Sequence, residues 1–174
     1  MTPIQSLSSS LPGSGAIWLG VMILGLILPA CGTRGAAGLP VAASLDLANL
    51  RRPASPNTAL ATPPNFGPVP DIVSPRYDVP PPVLYAALRR VAETELRVFL
   101  LERFDARLQA ACVARSAFWN FPDVVQVAAV PDGAGSRPVI YSRSLYGRYD
   151  FGVNRRRVEA WLARLPHALA AEGP

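Results

Sequence analysis

An α+β fold, with an antiparallel sheet of about four to five strands and two helices on one face, follows from three observations. Four runs between residues 96 and 142 alternate two sets of side chains with period two. Two longer stretches repeat apolar residues at helical spacing. An Asp132-Gly133-Ala134-Gly135 turn joins two of the alternating runs.

Taken in order, Asp71 to Tyr77 reads as a short edge strand interrupted by Pro75. Pro80, Pro81 and Pro82 suit the first turn of a helix, where no backbone amide is needed. Leu84, Ala87, Leu88 and Val91 carry that helix to about Thr94. The first strand run sets Leu96, Val98 and Leu100 against Arg97, Phe99 and Leu101. The second sets Leu108, Ala110, Cys112 and Ala114 against Gln109, Ala111, Val113 and Arg115, after a loop around Phe104 to Ala106. The third sets Val125, Val127 and Ala129 against Val124, Gln126 and Ala128, and the fourth sets Val139 and Tyr141 against Ile140 and Ser142. Such patterning puts one face of each strand on a core. A last helix begins with Asn154 as N-cap and carries Val158, Trp161, Leu162 and Leu165 on one stripe, with Pro166 as a kink or stop. Helices with one apolar face must cover a sheet, so both are expected on the same side. The layout is similar to a reduced helix-grip arrangement of lipid-binding domains.

The N-terminal third reads differently. Ala16 to Ala30 is an apolar run of 15 residues, roughly 22 Å as a helix, which is short for a bilayer span of about 20 residues. It ends in Leu28-Pro29-Ala30-Cys31-Gly32, which resembles the lipobox of bacterial lipoproteins. The resemblance implies cleavage before Cys31, lipid on Cys31, and a domain on the periplasmic side of the envelope. Gly32 in place of Asp after the cysteine is compatible with outer-membrane delivery. Two alternatives stand beside it: an uncleaved anchor extended through Thr33, with the following arginines placing the domain in the cytoplasm, and an ordinary cleaved signal peptide. The organisation is therefore residues 1–30 signal peptide, 31–47 flexible linker, 48–168 domain and 169–174 tail. Leu45, Leu47 and Leu50 are available to pack on the domain, and Arg51 to Thr58 reads as a turn in which Asn57 bonds its own backbone.

Composition excludes several functions. All 17 basic residues are Arg, against 12 acids, for a net charge of +5. The two signs are interspersed, and no finger, homeodomain or RNA-binding signature appears, so no nucleic acid is expected as partner. One His and two Cys offer almost nothing to a metal, and acylation of Cys31 leaves Cys112 as a buried free thiol. No phosphate loop, dinucleotide fingerprint or nucleophile elbow is present, so no cofactor is expected. His167, beside Pro166, reads as a solvated surface side chain. Phe118, Trp119 and Phe121 read as core or loop-packing aromatics, with the mouth of a ligand site as the alternative.

The specific part of the sequence follows the last strand. Tyr141-Ser142-Arg143-Ser144 leads into Gly147-Arg148-Tyr149-Asp150-Phe151-Gly152-Val153-Asn154-Arg155-Arg156-Arg157. Upstream stand Arg52-Pro53, Ser55-Pro56-Asn57, Val113-Ala114-Arg115-Ser116 and Phe121-Pro122-Asp123. Together these resemble the DUF1499 family over roughly residues 48 to 168, with Thr58 where some relatives carry cysteine. The resemblance implies a small domain often found in exported or membrane-linked proteins, and no catalytic assignment.

Three arginines in the first turn of the last helix oppose its dipole and require compensation. Asp150, Asp123 and Glu159 could pair with them. Alternatively Arg115, Arg143 and Arg148 converge with the helix start on a phosphate or carboxylate. The candidate anion or partner site is thus Arg115, Arg143, Arg148, Asp150, Asn154, Arg155 and Arg156, with Cys31 for lipid attachment. The function expected is a non-enzymatic, membrane-tethered lipoprotein that binds a partner protein or an anionic amphiphile. An envelope enzyme acting on an anionic substrate, with Asp150 or Asp123 as base, and a structural assembly factor are the competing readings.

Overall fold

A computed structural model describes residues 35–40 and 42–171; the proposed signal peptide and Cys31 lie outside the described residues. The elements are β1 (Thr58–Thr62), β2 (Ile72–Val73), α1 (Pro81–Glu93), β3 (Val98–Phe104), a 3-10 turn (Asp105–Arg107), β4 (Gln109–Arg115), β5 (Pro122–Asp132), β6 (Gly135–Ser144) and α2 (Val153–Ala170). The six strands form one sheet in the order β2-β1-β6-β5-β4-β3. The class is α+β, but the sheet is mixed: β2 runs parallel to β1, and every other pair is antiparallel.

β1 has no counterpart in the alternation pattern. All five of its residues are buried, with Ala59 and Ala61 on the helical side and Leu60 on the other. A strand covered on both faces shows no polar alternation, and Thr-Ala-Leu-Ala-Thr has little hydrophobic contrast. The β5–β6 hairpin closes as expected, with Asp132 opposite Gly135 and Gly133 at φ 60°.

Both helices cover one face. Leu84, Leu88 and Val91 of α1 and Val158, Trp161 and Leu165 of α2 meet Ala110, Cys112, Val125, Val127 and Ile140. α2 does not stop at Pro166 but runs through it to Ala170. Pro166 is exposed, so water can replace the amide that the ring removes. The helix begins at Val153, with Gly152 at the cap position (φ 75°), so Asn154 lies inside the first turn rather than at the cap.

The opposite face is covered by the segment leading into the domain. Leu45 joins Leu60, Ala128, Val130, Val139 and Tyr141 in a second cluster, with Leu47, Leu50 and Phe66 against it. Gln109 clamps Leu45 through both backbone groups, accepting from its amide at 2.8 Å and donating to its carbonyl at 3.2 Å. Gln126 donates to the Ala43 carbonyl at 2.9 Å. Of the flexible linker expected over residues 31–47, Ala43 to Leu45 are docked, because two buried glutamines on the sheet face away from the helices offer backbone partners.

Candidate functional site

The late motif folds into a buried polar knot on the helical side of the sheet. Asn154 is fully buried at its centre. Its Oδ1 accepts from the Ser142 hydroxyl at 2.6 Å and from Arg157 Nη1 at 2.9 Å. Its Nδ2 is shared among the Asn57 carbonyl at 2.9 Å, the Ser144 hydroxyl at 3.0 Å and Asp150 Oδ2 at 2.8 Å. Asn57 does not bond its own backbone; its Nδ2 donates to the Gly147 carbonyl at 2.6 Å. Arg157 completes the knot by pairing with Asp123 at 2.8 Å. The start of β1, the start of β5, the end of β6, the following loop and the start of α2 are thus tied at one point.

Asp150 caps α2 from outside the helix. Its two oxygens accept from the Gly152 amide at 3.0 Å and the Asn154 amide at 2.9 Å. Burial pushes this carboxyl up, but the Asn154 and Gly152 amides and the Asn154 side chain outweigh it and hold the pKa below the usual carboxylate value. The dipole of α2 is therefore already answered by an internal anion. Arg155 pairs with Glu159 at 2.9 Å, and Arg156 donates to the Phe151 carbonyl at 2.9 Å.

Arg115 and Arg143 do not join this knot. Strand alternation puts Asp123, Ser142 and Ser144 on the helical side and Val124, Arg143 and Arg115 on the other. The sheet itself separates the two sets, so the expected convergence of Arg115 and Arg143 on the helix start does not form. Arg115, buried, donates to the Gly35 carbonyl at 2.9 Å and the Asn120 carbonyl at 3.1 Å. Arg148 is exposed, and among the described residues only its backbone carbonyl is engaged, by Ser55 Oγ at 2.9 Å.

Arg143 instead lines a cavity of about 580 Å³ between the docked segment and the non-helical face of β5 and β6. Leu39, Leu45, Leu50, Val124 and Leu145 supply apolar wall, and Arg51 and Arg52, against the one acid Asp46, supply charge. Arg52 is committed to Asp71 at 2.7 Å and to the Thr58 hydroxyl at 2.9 Å. The Arg143 side chain has no acceptor among the described residues. Tyr141, which also lines the cavity, is 3% exposed, and its buried hydroxyl has no hydrogen-bond partner among the described residues. Burial raises the Tyr141 pKa, and the nearby charges of Arg143 and Arg52 act in the opposite direction.

Two side chains central to this geometry, Tyr141 and Arg157, stand in the specific sequence motif, but neither is among the candidate site residues. Phe118, Trp119 and Phe121 are not core residues. Phe118 and Trp119 stack edge to face, with centroids 4.8 Å apart, and all three are exposed. Among the described residues no group of His, Cys, Asp and Glu could hold a metal, and no helix is long and apolar enough to cross a membrane.

Comparison with known proteins places this geometry in a family. No curated protein matches the chain. Among solved structures, the crystal structure of TTHA0849 from Thermus thermophilus is similar at 13% identity and a TM-score of 0.31, covering 66% of this chain and 92% of that one. The family model described as "Protein of unknown function (DUF1499)" matches residues 50–165, which include the whole polar knot, and the chain belongs to the DUF1499 family.

Proposed function

We propose that this protein is a membrane-tethered domain of the bacterial cell envelope that binds an anionic amphiphile, without catalysis, in the Arg143–Tyr141 cavity. The observation that carries the reading is a buried Tyr141 hydroxyl beside the Arg143 guanidinium, neither with a side-chain partner among the described residues, in a cavity with leucine walls. A buried polar group without a partner costs roughly 1–3 kcal/mol, so a ligand oxygen that supplies the partner gains directly. A carboxylate or phosphate head on Arg143 and Tyr141, with an alkyl chain along Leu39, Leu45 and Leu50, matches both halves of the lining.

The carboxylates favour binding over acid–base chemistry. Asp123 is paired with Arg157, and Asp150 is saturated by amides, so both former candidates for a general base have structural work. The tether rests on the sequence: an apolar run ending in Ala30-Cys31-Gly32, with lipid on Cys31 and the domain on the periplasmic side.

The test is to purify the full-length chain from membranes, extract it with organic solvent and identify bound molecules by mass spectrometry. Parent protein is expected to carry a substoichiometric or stoichiometric anionic amphiphile. Arg143→Met, which keeps the apolar stem, is expected to lose it. Identical extracts from the two proteins would reject the cavity as the site.

A further inference from the structure

The end of the sheet at which the chain enters carries an unusual set of side chains. Register fixes which loops share that end. Val98 lies opposite Ala114, Arg115 opposite Pro122, Asp123 opposite Ser144, and Thr58 opposite Arg143. The loop before β3, the β4–β5 loop and the β6–α2 loop therefore emerge together. Each presents large apolar side chains to solvent: Leu96 is 89% exposed, Phe118 83%, Trp119 65%, Tyr149 67% and Phe151 89%. On a soluble surface such residues occur singly; a cluster on adjacent loops marks a contact site.

The backbone holds them outward. Arg97, Asn120 and Phe151 all have positive φ, at 63°, 56° and 53°. A phenylalanine in the left-handed region yet almost fully exposed gains no burial that would offset its backbone cost. Arg97 locks two of the loops together, donating to the Ser116 carbonyl at 2.8 Å and to Asn120 Oδ1 at 2.9 Å.

Charge at this end is positive. Among the described residues, Arg97 and Arg156 donate only to neutral oxygens and the Arg148 side chain has no acceptor. Of the nearby acids, Asp123 is paired with Arg157, Glu95 with Arg164 and Glu159 with Arg155, and Asp150 is turned onto the Gly152 and Asn154 amides.

The occupant is indicated by where the chain leads. Gly35 is held here by Arg115 and lies against Phe99, where an added Cβ would be 3.7 Å from its ring. Cys31 is four residues upstream in sequence, at most about 14 Å away along an extended chain. A lipid anchor at that position would hold this end, and no other, against the bilayer.

We infer that the Leu96–Trp119–Phe151 end is a docking face for an anionic lipid surface, with the aromatic side chains in the interfacial layer and Arg148 and Arg156 on the headgroups. The inference goes beyond the cavity reading and shares with it only the membrane attachment.

The test uses the full-length chain in vesicles of phosphatidylcholine, with or without phosphatidylglycerol. Trp119 is read as the difference in emission between the parent and Trp119→Phe. Brominated acyl chains are expected to quench Trp119 in vesicles containing phosphatidylglycerol. Arg148→Gln is expected to lower the docked-to-undocked ratio about fivefold, from the effect of one basic residue at an anionic surface, with the unfolding midpoint unchanged. Unquenched Trp119 on attached protein would overturn the inference. So would Trp119 already shielded in detergent, which would mean that residues 16–30 or a second copy cover the face. A chain that leaves the vesicles altogether would overturn the tether as well. Quenching without a co-purified amphiphile would keep this face and reject the cavity.

Discussion

Arg157 Nη2 lies 2.8 Å from Asp123 Oδ2, and the two side chains are only 13% and 9% exposed. The pair joins the first turn of α2 to the first residues of β5, and Arg157 also donates to Ser142 and Asn154. Removing one partner leaves the other charge buried without compensation. Arg157→Met or Asp123→Asn should each destabilise the fold by roughly 3 kcal/mol. The double variant Asp123→Val/Arg157→Met should lose less than the sum. Urea midpoints at unchanged m-value would measure this; single-variant losses within about 0.5 kcal/mol, the range of ordinary surface substitutions, would contradict it.

Asp150 makes stability depend on acid. Its folded pKa lies below the usual value, so its contribution is present above the unfolded carboxylate pKa and is lost as pH falls through the folded one. Asp150→Asn should unfold more readily than the parent at neutral pH. The gap should narrow as the pH is lowered below the ordinary aspartate range. A gap that stayed constant with pH in thermal melts would show that the carboxylate charge is not what caps α2.

Cys112 faces the helices, and burial pushes its thiol from 9.0 up to about 12, with Glu93 adding to the rise. In a Cys31→Ala background it is the remaining thiol. Thiol reagents should label it only at the rate of unfolding. Because the folded pKa is raised, the stability it contributes should be lost as pH rises from about 9 toward 12. Rapid labelling of native protein at neutral pH would refute this placement.

Gln109 holds the leading segment on the sheet through two hydrogen bonds to Leu45. Gln109→Leu should cost about 1–3 kcal/mol and speed deuterium uptake at residues 43–47 before any other part of the domain. If the cavity wall depends on that segment, amphiphile retention should fall with it. Unchanged exchange at Leu45 would mean that its side chain alone docks the segment.

Cys31→Ala should abolish lipid labelling and shift the chain's processing, leaving a precursor that still carries the apolar run. Metabolic labelling with a fatty-acid analogue and fractionation would measure both. A variant that remains membrane-bound and unprocessed just as the parent does would favour the uncleaved anchor.

Much of the domain was readable along the chain. Period-two patterning located β3 to β6, although β4 and most of β5 and β6 are buried on both faces, and helical spacing located both helices, each of which buries one face and exposes another. Leu45 is buried in the second core cluster, and Leu47 and Leu50 pack against it. β1 escaped because its five residues, Thr-Ala-Leu-Ala-Thr, are too few and too weakly hydrophobic to show a pattern. The polar hold on Ala43 and Leu45 escaped because its partners are glutamine amides that lie more than 60 residues away.

The candidate site shows the same division. Sequence alone marked residues 141–157 as the specific stretch, with Gly147 and Gly152 as tight turns and Asp150 as an acid near a helix start, although the cap it offered, Asn154, lies inside the first turn. It also settled that a small α+β domain follows an apolar run ending at Cys31. Only the tertiary structure decided which arginines meet. Arg143 and Ser144 are neighbours in the chain, yet alternation sends one to the cavity and the other to the knot around Asn154. Arg155, Arg156 and Arg157 look alike in sequence, yet the helical turn gives them an acid on the same helix, a loop carbonyl and a buried acid on β5. Contacts of that kind depend on strand register and helix phase, which no local spacing encodes.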